Sequence, residues 1–331
     1  MILVTGGAGY IGSHTVIELL IAGYRCVVLD NLSNSSVSWV DRVEKITGRK
    51  VCFLNGDLRD SELLRNLFRH HSFHAVIHFA GLKSVADSVV QPIAYYDNNV
   101  GGTLALIEAM QASGVRKIIF SSSASVYGEP KYLPIDEMHP TAPNNPYSRS
   151  KWMVEQVLTD LAAADREWRI ATLRYFNPVG AHPSGLNGED INRPSQSLVS
   201  VLWQVTRGSI GALPVFGNDY CTSDGTCMRD FIHVQDLARG HISALRALDT
   251  KRGAFVWNLG TGRSHSVLEV VRAFEAASGR SIPYFFERRR SGDVSIGHAD
   301  PAKAERELGW IATRNLSDMM RDTWRWYSRS L

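Results

Sequence analysis

The sequence predicts an α/β protein: an open, doubly wound parallel sheet carrying a smaller C-terminal α+β lobe. Three observations lead there. Short β-branched runs alternate with amphipathic helical stretches through the first half. Those runs are almost continuously apolar, as strands covered on both faces must be. The links between them are short, and repeated β-α alternation implies right-handed crossovers. The expected strands are Ile2–Thr5, Arg25–Leu29, Val51–Leu54, Ala75–Phe79, Lys117–Ser121 and Ile170–Arg174. Helices are expected over Ile11–Ala22, Glu62–Arg69, about 94–112 and about 148–163. In the second of these, Leu63, Leu64, Leu67 and Phe68 form one apolar stripe.

After Phe176 the texture changes. Residues 177–193 carry Pro178, Gly180, Pro183, Gly185 and Gly188 with few apolar residues, and read as a long functional loop or lid. Beyond Leu198 the rhythm is irregular. A strand at Pro214–Phe216, a helix from Val234, a strand at Phe255–Leu259, a helix at Leu268–Ala277 and a last helix at Leu316–Tyr327 are expected. The division is therefore a first lobe, 1–176, and a second, 177–331, with the chain free to cross between them more than once.

Composition narrows the function classes. The 331 residues are 44% apolar and 21% charged, with a net charge of +3. That excludes disorder, fibrous repeats and disulfide scaffolds, and gives no reason to expect nucleic acid or an acidic membrane. Cys26, Cys52, Cys221 and Cys227 lack zinc or CxxC spacing, so no metal is expected and the thiols read as reduced bystanders. Met1 leads directly into Ile2-Leu3-Val4 without a basic leader, and no apolar run approaches the ~20 residues of a membrane span. A cytoplasmic protein is expected.

Four of the 27 glycines fall within the first twelve residues. Gly6, Gly9 and Gly12 lie between the first strand and the first helix, where glycine permits a tight turn and close approach to a pyrophosphate. The helix N-terminus then offers free N–H groups to phosphate. This is a Rossmann-type dinucleotide site. Asp30 closes the second strand, where a carboxylate takes the adenosine ribose hydroxyls and repels a 2′-phosphate, favouring NAD over NADP. Gly56-Asp57-Leu58 follows strand three, facing the adenine, and Phe79-Ala80-Gly81-Leu82-Lys83 follows strand four. Lys83 is placed to neutralise pyrophosphate charge.

Tyr147 and Lys151 stand four apart, on one face if Tyr147 opens a helix. A free tyrosine, with a pKa of about 10, is a poor base. A neighbouring ammonium and an oxidised nicotinamide favour the phenolate. Ser123 ends strand five at the same edge, placed to hydrogen-bond the substrate oxygen.

The chain resembles the extended short-chain dehydrogenase/reductase family, and within it the UDP-galactose (UDP-glucose) 4-epimerases. The resemblance is carried by TGGAGYIGSHT at 5–15, DNLSNS at 30–35, HFAGLKSV at 78–85, YYDNNV at 95–100 and FSSSASVYG at 120–128. It continues through Tyr147/Lys151, LRYFNPVGAHPSG at 173–185, FGNDY at 216–220 and RDFIHV at 229–234. It implies a redox cycle that closes on itself. Tyr147 takes the sugar 4-hydroxyl proton while C4 gives hydride to tightly held NAD; the 4-keto sugar turns over, and hydride returns to its other face. Lys151 lowers the Tyr147 pKa and holds the nicotinamide ribose, and Ser123 guides the proton. By position, the resemblance puts Tyr10, Ile11, Asp30, Asn31, Leu32, Ser33, Asn34, Ser35, Asp57, Leu58, Phe79–Lys83, Asn98 and Phe176 on NAD. It puts Asn177, Ser197, Leu198, Phe216, Arg229, Arg290, Asp293 and Gly297 on the UDP-sugar, with Lys83, Ser123 and Tyr147 shared. Arg229 and Arg290 suit a diphosphate.

Three departures from the family pattern matter. Gln196-Ser197-Leu198 replaces Asn-Asn-Leu, so a hydroxyl stands for one amide. Ser148-Arg149 replaces Gly-Lys. Gly297 stands where strict hexose epimerases often carry a bulky Tyr, and a small residue there goes with acceptance of N-acetyl sugars. The alternative is therefore an enzyme acting mainly on UDP-GlcNAc and UDP-GalNAc. A nucleotide-sugar dehydratase needs acidic groups just after the strand-five serine, where Ala124 and Ser125 stand. A non-catalytic NAD-binding regulator would lose the tyrosine. The resemblance also implies a homodimer pairing the helices near 94–112 and 148–163 through Leu104, Ile107, Met153 and Val157.

Overall fold

The computed structural model describes residues 1–190, 197–290 and 292–330. The first half runs β1 (Ile2–Thr5), α1 (Tyr10–Ile21), β2 (Cys26–Asp30), α2 (Trp39–Thr47), β3 (Cys52–Asn55), α3 (Ser61–His70) and β4 (Ala75–His78). It continues with α4 (Val85–Val90), α5 (Pro92–Tyr96), α6 (Gly102–Ser113), β5 (Lys117–Ser123), α7 (Pro146–Ala164) and β6 (Arg169–Tyr175). The second half begins β7 (Asn177–Val179), α8 (Leu198–Thr206), β8 (Leu213–Phe216), β9 (Met228–His233), α9 (Val234–Ala247) and β10 (Gly253–Leu259). It ends with β11 (Ser264–Ser266), α10 (Val267–Ser278), β12 (Tyr284–Glu287), β13 (Ile296–Gly297), α11 (Ala302–Leu308) and α12 (Leu316–Tyr327).

The main sheet has the order β10-β6-β5-β4-β1-β2-β3, parallel throughout. The chain winds outward from β1 through β2 and β3, then resumes on the other side at β4. The reversal between β1 and β4 opens a crevice beyond the carboxyl ends of the strands, where such sheets bind ligands. Alternation along each strand feeds two cores. Leu3, Val27 and Leu29 pack with Leu64, Met110 and Leu158 on one face. Val4, Val28 and Ile77 pack with Val16, Ile17 and Leu237 on the other. Each such side chain contributes roughly 1.5–3 kcal/mol when fully buried, so packing holds the helices in place. A third core, with Trp203, Val215, Phe231, Phe274 and Met320, belongs to the second lobe.

Three sequence expectations change. The strand at 255–259 is not part of the second lobe. β10 pairs with β6 from Gly253 opposite Arg169 to Leu259 opposite Tyr175, and α9 packs on α1. The cut at 176/177 therefore separates a strand from its sheet, and β10 shields an edge that β6 would otherwise expose. The expected helix at 94–112 is interrupted by a π-helical turn, Asp97–Gly101. The expected lid is a packed connector over its described part. It starts as β7 beside β9, and buries Gly180 and Asn187. The Tyr10 hydroxyl donates to Gly180 O at 2.6 Å, and Trp326 Nε1 donates to Glu189 O at 2.8 Å. Residues 191–193 of that segment, and Gln196, lie outside the described residues. One helix, α2, is not among those expected from the sequence; its Trp39 and Val43 are fully buried, and Val40 and Ile46 pack on the same face. Among the described residues no helix is long and apolar enough to cross a membrane.

Candidate active site

The glycine turn is tight enough to exclude side chains. Gly6 has φ +70°, and a Cβ there would stand 2.5 Å from Ala80 N. A Cβ on Gly12 would stand 2.3 Å from Gly6 O. Gly9 precedes α1 without a side-chain cap. Tyr10 and Ile11 open α1, so their amides are helix-start donors with no partner within the helix, the kind that receives phosphate. The Asp30 carboxylate ends β2 beside them. It accepts from Ala8 N at 3.0 Å, Leu32 N at 2.9 Å and Ser35 Oγ at 3.2 Å. Burial pushes its pKa up and these donors oppose the rise. Asn31 Nδ2 donates to Asp57 at 3.0 Å, joining the ends of β2 and β3. Arg59 holds the Asp57 carboxyl well below its usual range. Ser33 N donates to the Asn31 carbonyl oxygen of the side chain at 3.1 Å, so the 31–35 segment, including Asn34, is a compact turn. Leu58 is buried behind it. A cradle that admits no Cβ, free helix-start amides and a ribose-level carboxylate together fit a dinucleotide.

The segment after β4 completes this wall. Phe79 N and Ala80 N both donate to Thr5 O, at 2.9 and 3.1 Å. The Asn99 amide clamps Leu82, accepting from its N at 2.7 Å and donating to its O at 3.0 Å. It also donates to Ser150 Oγ at 2.9 Å, which ties the Gly81 loop to α7. Asn98, its predicted neighbour, sits half-buried in the π-turn, a feature common at functional sites. Lys83 reaches Glu189 at 3.4 Å.

At the start of α7, Asn145 accepts from Ser148 N at 2.9 Å and Pro146 takes the first helical position. This cap starts the helix just before Tyr147 and puts Tyr147 and Lys151 on one face, as the spacing predicts. Tyr147 is buried, with the Ser123 hydroxyl beside it. Lys151 Nζ donates to Ser121 O at 2.9 Å and lies 4.9 Å from the Phe120 ring centre. Desolvation pushes Lys151 down to about 8. The expectation of a lowered Tyr147 pKa is reversed for the protein's own groups. Burial raises it, and the Ser123 hydroxyl only opposes that rise. Ser125 donates to Ser123 Oγ through both its N, at 3.2 Å, and its hydroxyl, at 2.9 Å. Phe176 follows β6, buried, with its N bonded to Leu259 O.

The opposite wall comes from the second lobe. Arg229 on β9 donates to Val294 O at 2.7 Å and to Asp293 at 3.2 Å. The Arg290 guanidinium lies 3.6 Å from the Phe216 ring centre. Gly297 on β13 pairs in register with Arg229, and a Cβ there would meet only Val294 Cγ2, at 3.9 Å. Asn177 leads β7, and Ser197 caps α8 just before Leu198. The two walls meet where a Cβ on Gly292 would stand 3.6 Å from the Asn144 amide nitrogen.

Sequence reading missed Asn99, Tyr175 and Arg289. Tyr175 is opposite Ser123 in the sheet, and burial beside Tyr147 drives its pKa far up. Arg289 pairs with Asp219 at 2.7 Å and stacks 4.1 Å from the Tyr220 ring centre. The paired asparagines of YYDNNV were a visible signal for Asn99; the other two depend on contacts distant in sequence.

The comparisons agree with this geometry. The chain is 55% identical to a UDP-glucose 4-epimerase of Bacillus subtilis, over 100% of this chain and 97% of that one. A UDP-glucose-4-epimerase of Stenotrophomonas maltophila, crystallised with NAD and formylated UDP-arabinopyranose, superposes with a TM-score of 0.97 at 47% identity, covering 100% and 99% of the chains. A UDP-glucose 4-epimerase of Bifidobacterium longum, in complex with NAD+ and UDP, gives a TM-score of 0.95 at 50% identity, covering 99% and 98%. Residues 2–260 match the NAD dependent epimerase/dehydratase family, and the chain belongs to it.

Proposed function

We propose that the chain is a NAD-dependent UDP-hexose 4-epimerase interconverting UDP-glucose and UDP-galactose. The observation that carries this is the set Ser123, Tyr147 and Lys151, gathered where β5 ends and α7 begins at the sheet's crevice. The NAD wall comprises Gly6, Gly9, Tyr10, Ile11, Gly12, the segments 30–35 and 79–83, Asp57, Leu58, Asn98 and Phe176. Held there, NAD would supply a reversible hydride acceptor for sugar C4, which would make the reaction redox-neutral overall. Tyr147 takes the 4-hydroxyl proton and gives it back. Ser123, beside that phenol, orients the same oxygen. Lys151 supplies the positive charge that opposes burial of a phenolate. Asn177, Ser197, Leu198, Phe216, Arg290 and Asp293 flank Arg229 on the UDP side. The division of labour is by lobe, 1–176 for NAD and 177–331 for the UDP-sugar, with β10 supporting the first.

Tyr147→Phe tests the reading. A general base contributes about 10²–10⁴-fold, so turnover of UDP-galactose in a coupled assay falls by that order while bound NAD is retained. Undiminished turnover would sink the mechanism.

Gly297 supports a wider substrate range, including UDP-GlcNAc and UDP-GalNAc, because the space around its Cα is open. A homodimer is supported by an apolar surface formed by Val89, Val90, Ile93, Leu104 and Met153, with Ile93 82% exposed. Ile107, expected there, is core, and Val157 is half-buried. A monomer by sedimentation velocity would refute the pairing. Four free cysteines, Cys52 and Cys221 exposed among them, suit a reducing compartment such as the cytoplasm. An oxidised, disulfide-bonded protein isolated from cells would contradict that placement.

A further inference from the structure

Strand β5 ends in three serines, and α7 runs beside it with Tyr147, Lys151 and Glu155 spaced four apart, on one helix face. Each serine holds one rung. The Ser123 hydroxyl stands beside Tyr147, the Ser121 carbonyl accepts from Lys151 at 2.9 Å, and the Ser122 hydroxyl donates to the Glu155 carboxylate. The reaction uses the first two rungs and leaves the third unexplained.

Glu155 is 3% exposed. Its carboxylate is met from β6 by Arg174, whose Nε donates at 3.1 Å and whose Nη2 donates at 2.5 Å. Arg174 is itself buried and lies 4.8 Å from the Tyr127 ring centre. Buried ion pairs are weak stabilisers, because desolvation offsets their attraction. A buried pair one helical turn below the active-site lysine therefore calls for another role. Lys151 is 5% exposed, and nothing within bonding distance carries negative charge toward it; it has a carbonyl and a ring. Interior charges act beyond contact, and Glu155 is the group that favours the charged lysine.

The other titratable groups facing this stack are few. His78 from β4 sits near Lys151 with an imidazole held neutral, at about 3. Tyr95 from α5 and Tyr175 from β6 face Tyr147, His241 from α9 bonds the Ser121 hydroxyl with an imidazole held neutral at about 4, and Tyr127 with Glu137 behind it faces Arg174. None of these supplies an anion to Lys151.

We propose that Glu155 is a positioning residue: held by Ser122 and Arg174, it is the buried counter-charge that keeps Lys151 cationic and in register beneath Tyr147. Arg174 sets how much of that negative charge Lys151 feels. The inference rests on the epimerase reading and deepens it.

The test has two readouts on the NAD-loaded protein. One is the titration midpoint of Lys151, followed by NMR of 13Cε-lysine-labelled protein and assigned with Lys151→Met. The other is the alkaline limb of kcat against pH for UDP-galactose. Glu155→Gln lowers the Lys151 midpoint, and the limb with it, by about 1 pH unit, a tenfold change in proton affinity. Arg174→Gln moves both the opposite way. KM for the sugar nucleotide stays within about twofold, and Glu155→Asp and Arg174→Lys, which keep the charges, restore the wild-type midpoint. A merely structural role lowers kcat or thermal stability without opposed shifts. Unmoved midpoints, or shifts of one sign in both variants, overturn the proposal, and either neutral variant alone decides if the other does not fold. A wild type without turnover would refute the epimerase reading instead, while the NMR titration would still judge the charge assignment.

Discussion

The two walls of the cleft are built in different ways. The NAD-side wall is backbone: glycines packed against carbonyls, helix-start amides, and a loop after β4 clamped by Asn99. The sugar-side wall is charge: Arg229 paired with Asp293, Arg289 with Asp219, and Arg290 laid on Phe216. Backbone cannot rearrange without cost, so the first wall is fixed before anything binds. Exposed ion pairs contribute only about 0–1 kcal/mol, so the second wall can exchange its partners for a diphosphate at little cost. A near-neutral protein can thus hold an anionic substrate with a few placed cations.

The sharpest way to break the contrast is at the fixed wall. In Gly12→Val, the new side chain meets Gly6 O at 2.3 Å and Gly7 Cα at 2.7 Å, both backbone. Neither α1 nor the turn can yield separately. The expected outcome is loss of retained NAD and a destabilisation above ~4 kcal/mol, within the class of severe overpacking. NAD released from the purified protein and its unfolding transition are the measurements. A stable variant with full NAD would show that the wall is not backbone-fixed.

This asymmetry also explains what the sequence made legible. The NAD wall is written in contiguous residues: Gly6 to Gly12, Asp30 to Ser35, Phe79 to Lys83. The capped start of α7 places Tyr147 and Lys151 from local rules alone. What sequence left out needs distant contacts. β10 joins β6 across 77 intervening residues, from the end of β6 at Tyr175 to the start of β10 at Gly253, so its apolar run looked like any strand of the second lobe. α2 does carry a helical stripe, Trp39, Val40, Val43 and Ile46, but it is a short helix following the polar, serine-rich 31–38 segment, and sequence reading missed the stripe. Tyr147's raised pKa reflects burial, a quantity that motif spacing does not carry.

A second change probes the adaptable wall. Arg229→Leu removes the cation facing the diphosphate. Hydrogen bonds to charged groups contribute about 1.5–3 kcal/mol each, so KM for UDP-galactose rises roughly 10–100-fold. NAD retention stays at the wild-type level, because no NAD-side contact involves Arg229. Arg229 also ties Val294 O and Met228 O, so Arg229→Lys separates the lost charge from the lost ties. An unchanged KM, or a parallel loss of NAD, would dissolve the distinction between the walls.

The smallest expected effect is the most selective. Gly297 pairs with Arg229 through β9 and β13, yet its Cα faces open space, with Val294 Cγ2 at 3.9 Å the nearest neighbour of an added Cβ. A ring added there enters the cleft and leaves the core alone. Excluding a group the size of an acetamide by steric means is worth about 1–3 kcal/mol. Gly297→Tyr is therefore expected to lower kcat/KM on UDP-GlcNAc and UDP-GalNAc by at least ~10-fold. On UDP-glucose and UDP-galactose the change stays within about threefold, because the hexose 2-hydroxyl leaves the ring its room. Gly297 is itself buried, but an added Cβ meets nothing nearer than Val294 Cγ2, so the loss of stability stays well below that of Gly12→Val. Equal losses on both pairs would mean the ring blocks the common part of the substrate. No wild-type activity on the acetylated pair would mean that the open space at Gly297 does not set specificity.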